Sequence, residues 1–170
     1  MRSRLLAITL VALAPAWSLA QNAWDLAKKG AGAPATAQLE KEINKRLLEE
    51  GRKNQCSFKS GTADLDAGCG PKADKLAKAL IDAKKKLDGA GVKNFKFVVS
   101  GHTDSSGVAA SNKKLSAERA AVMVKLLTSK GVPAAEIESV GMGSERPLEK
   151  PDDTPAKKAR NRRYEVQVKL

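Results

Sequence analysis

With 31 Lys and Arg against 19 Asp and Glu in 170 residues, the chain carries a formal charge of +12, yet it holds only three Phe, two Trp and one Tyr. The charge favours polyanionic surroundings such as lipopolysaccharide phosphates, acidic wall polymers or nucleic acid, without choosing among them. So few aromatic rings leave little platform for stacking bases, which sets nucleic acid aside, and the length suits one domain with a short extension.

At the N-terminus Arg2 and Arg4 precede an apolar run over residues 5–13 and the stretch Ser18-Leu19-Ala20. This is the layout of a secretory signal peptide, residues 1–20. The stretch 5–19 is shorter than the roughly 20 residues that cross a bilayer, and Pro15 interrupts it; an uncleaved anchor is the competing reading. Cleavage takes two arginines and no acid from the balance and leaves +10. No Cys follows the cleavage point to carry a lipid, and no later segment is apolar enough to span a membrane. The mature chain is therefore expected to be exported and periplasmic, at most peripherally associated with the outer membrane.

Residues 21–54 form an extension. Residues 28–37 lack large apolar side chains and are expected to be a linker; residues 36–50 are expected to be helical, with Thr36 as cap and Leu39, Ile43 and Leu47 at four-residue spacing. A first strand is expected over 55–59. Cys56 and Cys69 are the only cysteines and meet an oxidising compartment after export, which favours one disulfide over two buried thiols. Such a bridge contributes about 3 kcal/mol in the chain-entropy model. With His102 the sole histidine, the ligands for a zinc site are too few, and neither a metal nor a cofactor is expected.

Residues 71–87 place Leu76, Leu80, Ala83 and Leu87 on one helix face, with Pro71 at an early position. Residues 95–101, rich in aromatic and β-branched side chains, predict an inner strand ending at Gly101. A second helix is expected over 116–130, with Gly131 and Pro133 ending it. Strands follow over 137–140 and 164–170. The order is strand, helix, strand, helix, strand, strand, the pattern of an α/β or α+β sandwich.

The loop Gly101-His102-Thr103-Asp104-Ser105-Ser106-Gly107 concentrates small and polar residues just past an inner strand, where a ligand can approach the backbone. Arg119 falls three and four residues before Val122 and Met123, on a helix stripe that should be apolar, so its charge needs a partner. With Ser116 as N-cap it sits near the positive end of the helix dipole, a place already disposed to bind a carboxylate. Asp104, at the start of the same loop, can face it across a groove. An acid opposite a base suits a ligand carrying both an ammonium and a carboxylate, such as the free end of meso-diaminopimelate; a plain Asp104–Arg119 ion pair is the alternative. His102 is expected to be a hydrogen-bonded framework residue, since no second His or acidic cluster accompanies it.

Gly101-His102-Thr103-Asp104, Gly107, Asn112, Leu115-Ser116, Arg119-Ala120, Gly131-Val132, Gly141, Gly143, Pro147 and Asn161-Arg162-Arg163 together resemble the signature of the OmpA C-terminal (OmpA/MotB/Pal) family, over residues 95–168 with weaker similarity back to Phe58. The resemblance implies an α+β fold: a two-layer sandwich of a small mixed sheet with helices on one face, in the order βαβαββ, over residues 55–170. It also implies non-catalytic, non-covalent binding of peptidoglycan through the diaminopimelate of its stem peptides. Asp104 would take the ligand ammonium and Arg119 its carboxylate, assisted by Asn112 and the backbone from Thr103 to Gly107. Arg162 borders the groove or pins the last strand. Ser111 and Tyr164 depart from the family pattern, where an aromatic and a small aliphatic residue are usual. The competing class is a structural subunit, in which the domain docks an envelope protein and residues 22–50 form an assembly helix. An amidase using His102 is not supported by the residue inventory.

Overall fold

The computed structural model describes residues 32–59 and 61–170. The expected signal peptide and the start of the linker lie outside the described residues. The elements are α1 (Gly32–Lys53), α2 (Cys69–Gly89), β1 (Lys96–His102), α3 (Ala109–Ser129), a 3-10 turn (Ala134–Glu136), β2 (Ile137–Gly143), α4 (Pro155–Asn161) and β3 (Tyr164–Lys169). The central strand β1 pairs in parallel with β2 and antiparallel with β3, in the order β2-β1-β3. This is the expected α+β class with a mixed sheet.

Strand periodicity decides which face is covered. Phe97 and Val99 of β1, Ile137 of β2, and Tyr164, Val166 and Val168 of β3 all enter one core. Leu76, Leu80 and Leu87 of α2 and Ala120, Met123 and Leu127 of α3 meet them there. The alternate residues of β3, Glu165, Gln167 and Lys169, point away, as a two-residue period requires.

Helix α1 is longer than expected and starts inside the segment read as a linker. Pro34 lies in its first turn, where a missing N–H breaks no helical bond, and Ala, Leu, Glu, Lys and Arg carry the rest. Its stripe is not left for a partner: Ile43 and Leu47 are buried in the core, and Leu39 packs against it.

The strand expected over 55–59 is absent from this sheet. Phe58 makes only an isolated antiparallel bridge with Leu65, because the chain turns back on itself: Lys59 N–H donates to Asp64 O (2.9 Å) and Asp66 N–H to Ser57 O (2.9 Å). Cys56 and Cys69 are joined in a disulfide that closes this excursion. The outer edge of β3 is covered instead by two amide side chains. Asn44 donates to Val168 O (3.0 Å) and accepts from Val168 N–H (2.7 Å). Gln55 donates to Tyr164 O (2.8 Å) and accepts from Tyr164 N–H (3.4 Å). Each amide offers the donor and acceptor that a neighbouring strand would supply.

Helix α3 lies directly on β1 and β2, and two glycines permit it. A Cβ on Gly101 would overlap the Ser116 carbonyl, and one on Gly141 would come within 2.6 Å of Lys113 O and Ala117 N. Both neighbours are helix backbone and cannot rotate away. Gly141→Ala is accordingly expected to cost about 1–3 kcal/mol, as overpacking does, read as a lower urea midpoint at unchanged m-value.

Candidate ligand-binding groove

Beyond β1 the chain enters residues 103–108, and this loop, the middle of α3, the segment after α1 and the end of α4 enclose a groove of about 930 Å³. The loop is built from its own polar groups. Thr103 N–H donates to Gly143 O (2.9 Å). Asp104 Oδ1 accepts Ser106 N–H (3.0 Å), closing an Asx turn. Asn112 Nδ2 donates to Ser106 O (2.8 Å), and Gly107 turns the chain into α3 with φ of 84°.

A second loop, leading into α4, braces the first; nothing in the sequence analysis singled it out. Asp152 is buried; it accepts Ser105 N–H (2.9 Å), the Ser105 hydroxyl and Asn161 Nδ2 (3.0 Å). Asn161, fully buried, also accepts Leu148 N–H (2.8 Å) and Glu149 N–H (3.0 Å) and donates to Glu149 O (3.0 Å). The short helix α4 that presents it begins at Thr154-Pro155, with the Thr154 hydroxyl accepting Lys157 N–H (3.3 Å). The Ser105 hydroxyl, Ser105 N–H and Asn161 hold the Asp152 carboxyl down at about 2, from 3.8. A depressed carboxyl stabilises above the unfolded value and loses that contribution as pH falls through the folded one. The stability of the wild type should therefore fall between pH 3.8 and about 2, and Asp152→Asn should flatten that part of the urea-midpoint profile.

Arg119 occupies the buried stripe as expected but not the helix end. Helix α3 begins at Ala109, so Ser116 is interior rather than an N-cap: its hydroxyl donates to Lys113 O (2.9 Å) and accepts Gly143 N–H (2.8 Å). The dipole argument for Arg119 thus fails, and loop carbonyls take its place. Arg119 is 7% exposed; its Nε donates to Thr62 O (2.9 Å) and Nη2 to Lys59 O (3.2 Å), and its guanidinium lies 5.1 Å from the Phe58 ring centre. Burial pushes the guanidinium below its ordinary value; Arg162 adds to the effect and Asp104 opposes it.

Asp104 and Arg119 line the same groove without forming the alternative ion pair. Asp104 Oδ2 accepts Arg162 Nη1 at 2.8 Å. Burial pushes this carboxyl up, but Arg162 and Ser106 together hold it below its ordinary value. Thr103, Asn112 and Arg162 also line the groove; Gly107 does not. His102 lies outside the lining, 3% exposed, with both ring nitrogens lacking a hydrogen-bond partner among the described residues. Its Nε2 is 3.9 Å from Glu165 Oε2. Burial, seconded by Arg163 against the opposing Glu165, lowers the ring to about 4 and keeps it neutral. The expected framework position is found, without the expected hydrogen bond.

The model of the OmpA family matches residues 57–162. The chain belongs to the OmpA family. It is 37% identical over 96 residues to the peptidoglycan-binding protein ArfA of Mycobacterium tuberculosis, covering 56% of this chain and 25% of ArfA. It is 30% identical over 135 residues to outer membrane porin F of Pseudomonas aeruginosa, covering 68% of this chain and 38% of the porin. The chain thus spans well under two thirds of either relative. The crystal structure of the peptidoglycan-associated lipoprotein from Burkholderia pseudomallei shares the fold, with a TM-score of 0.55 over 68% of this chain and 89% of that one at 23% identity.

Of the two departures from the OmpA-family pattern, Tyr164 has a clear structural use. It is buried; its hydroxyl donates to Asn54 O (2.8 Å) and accepts Cys56 N–H (3.3 Å), and burial pushes it up to about 12. It ties the disulfide loop to β3. Ser111 is exposed and outside the groove lining. Sequence reasoning missed Arg52, Phe58, Leu115 and Arg160 as lining residues. Phe58, the one aromatic residue between the two cysteines, offered a signal; Arg52 offered none, because it comes from α1, ahead of the family-matched segment.

Proposed function

We propose that the groove binds peptidoglycan non-covalently, holding the zwitterionic end of a diaminopimelate stem peptide and so anchoring the protein in the cell envelope. One observation carries this reading: a carboxylate and a buried guanidinium line one groove and do not neutralise each other. Asp104 uses Oδ1 on Ser106 and Oδ2 on Arg162, and a carboxylate with about four lone-pair sites retains room for an ammonium. Arg119 commits Nε and Nη2 to carbonyls, and its Nη1 makes no hydrogen bond among the described residues, leaving a donor for a ligand carboxylate. Support also comes from ArfA, whose name describes a peptidoglycan-binding protein.

Binding without chemistry fits the lining, since among its described residues there is no histidine and no free thiol. The Cys56–Cys69 bridge suits an exported protein in the oxidising periplasm. Each charge-assisted hydrogen bond is worth about 1.5–3 kcal/mol net, so one site gives modest affinity, and the many stems of the polymer supply retention.

The test is sedimentation with purified Gram-negative sacculi at low and high salt. Pelleting that resists salt and is lost in Asp104→Ala supports the groove. Equal pelleting of wild type and variant, lost together at high salt, would mean that surface charge alone does the binding.

A further inference from the structure

We infer that the groove is built for two carboxylates, and that Arg52 of α1 receives the second of them; this rests on the peptidoglycan reading above. Among the described residues, five arginines and a single carboxylate, Asp104, line the groove. Three of the five are already paired: Arg162 with Asp104 (2.8 Å), Arg160 with Glu149 (2.7 Å) and Arg163 with Glu165 (2.8 Å). Arg119 and Arg52 have no acidic partner among the described residues. Arg119 is held through carbonyls and is buried, so its charge is screened less than one in open water. Arg52 is exposed and makes no ion pair or side-chain hydrogen bond there. A surplus of two unpaired guanidiniums facing one cavity calls for a ligand of matching sign and number.

The bland account of Arg52 is its place in the last turn of α1, where a cation complements the helix dipole. That account explains a positive charge but not its position on the groove wall, which follows from how α1 is docked. Leu47, five residues earlier, is buried in the core, and Gln55, just beyond, is fixed to both main-chain groups of Tyr164. The helix end is thereby held against β3, and Arg52 with it.

A stem peptide meets this requirement: next to the zwitterionic diaminopimelate it carries a glutamyl α-carboxylate, and at its end a chain-terminal carboxylate. Amidation removes either negative charge while keeping the shape, so Arg52 makes the groove discriminate between free-acid and amidated stems. Because α1 precedes the segment matched by the OmpA family, this preference belongs to the extension of this chain rather than to the shared fold.

The experiment is calorimetric titration of the mature protein and Arg52→Gln with synthetic Ala-γ-Glu-diaminopimelate, as the free acid and with either the glutamyl or the terminal carboxylate amidated. Expected is a loss of about tenfold in wild-type affinity on amidating one of the two, and no further loss in Arg52→Gln, which binds all forms like wild type binds that amide. Which amide shows the loss identifies the carboxylate. If Arg52→Gln binds the free acid with wild-type affinity while wild type binds normally, the Arg52 assignment is overturned and the Asp104–Arg119 site stands. If wild type binds none of the peptides, the peptidoglycan reading itself fails and the assignment falls with it. Arg52 is exposed, so the variant keeps its fold, checked by an unchanged urea midpoint.

Discussion

Arg119→Lys is expected to weaken stem-peptide binding by about 10- to 100-fold, the loss of one charge-assisted hydrogen bond, although the charge is kept. The guanidinium works as a fork: Nε and Nη2 are fastened to Thr62 O and Lys59 O, which fixes the direction of the remaining nitrogen. A lysine ammonium is a point charge on a flexible stem and cannot grip the loop and the ligand in the same geometry. Arg119→Ala goes further, because it strands two carbonyls, empties the space against Phe58 and leaves Asp104 and Arg162 to a wider cavity. That variant should lose measurable binding and about 2–3 kcal/mol of stability. Calorimetric titration and urea unfolding of both variants separate the two effects. Wild-type affinity in Arg119→Lys would show that the ligand does not touch this side chain.

The second large effect is expected at the disulfide. Cys56 and Cys69 close the excursion that carries Phe58, Lys59 and Thr62, so the bridge supports the very groups that position Arg119. The double substitution Cys56→Ser/Cys69→Ser should cost about 3 kcal/mol by loop-closure entropy and lower the melting temperature by roughly 10 °C. Below that melting temperature the folded variant should also bind the stem peptide more weakly, since Lys59 O and Thr62 O are no longer held in place. Thermal unfolding and titration with the same protein decide it. A variant with lowered stability and unchanged affinity would confine the bridge to folding.

Periodicity made much of the fold legible. The stripe of α2, the alternation of β3 and the apolar character of β1 each follow from local spacing, and each is found in the core. Boundaries were less legible where the local signal was ambiguous. Ser116 reads as a helix cap because Ser before Glu and Arg is a good cap, yet Ala109-Ala110 had already started α3. The segment 55–59 has strand-like composition, but the bridge between Cys56 and Cys69 turns it into a loop. In the site, the loop and the helix stripe pointed to Asp104 and Arg119 and the family resemblance to Asn112, and all three line one groove. It could not reveal that Asp104 takes Arg162 as its partner, nor that Arg119 rests on two main-chain oxygens, because both contacts join segments more than 50 residues apart and the oxygens have no residue identity.

The amide clasps on β3 bear on how many copies of such a protein can share one surface. A sheet edge with a run of free peptide groups is a template for a second chain, and crowding on a polymer that offers many identical attachment points raises the chance of finding one. Here Asn44 and Gln55 occupy the main-chain groups of Val168 and Tyr164 with side chains that end there, presenting no backbone for a further strand to follow. The growth of a shared sheet is opposed at that edge by Asn44 of the extension and Gln55 just beyond it, so copies held side by side on the proposed polymer would stay separate there.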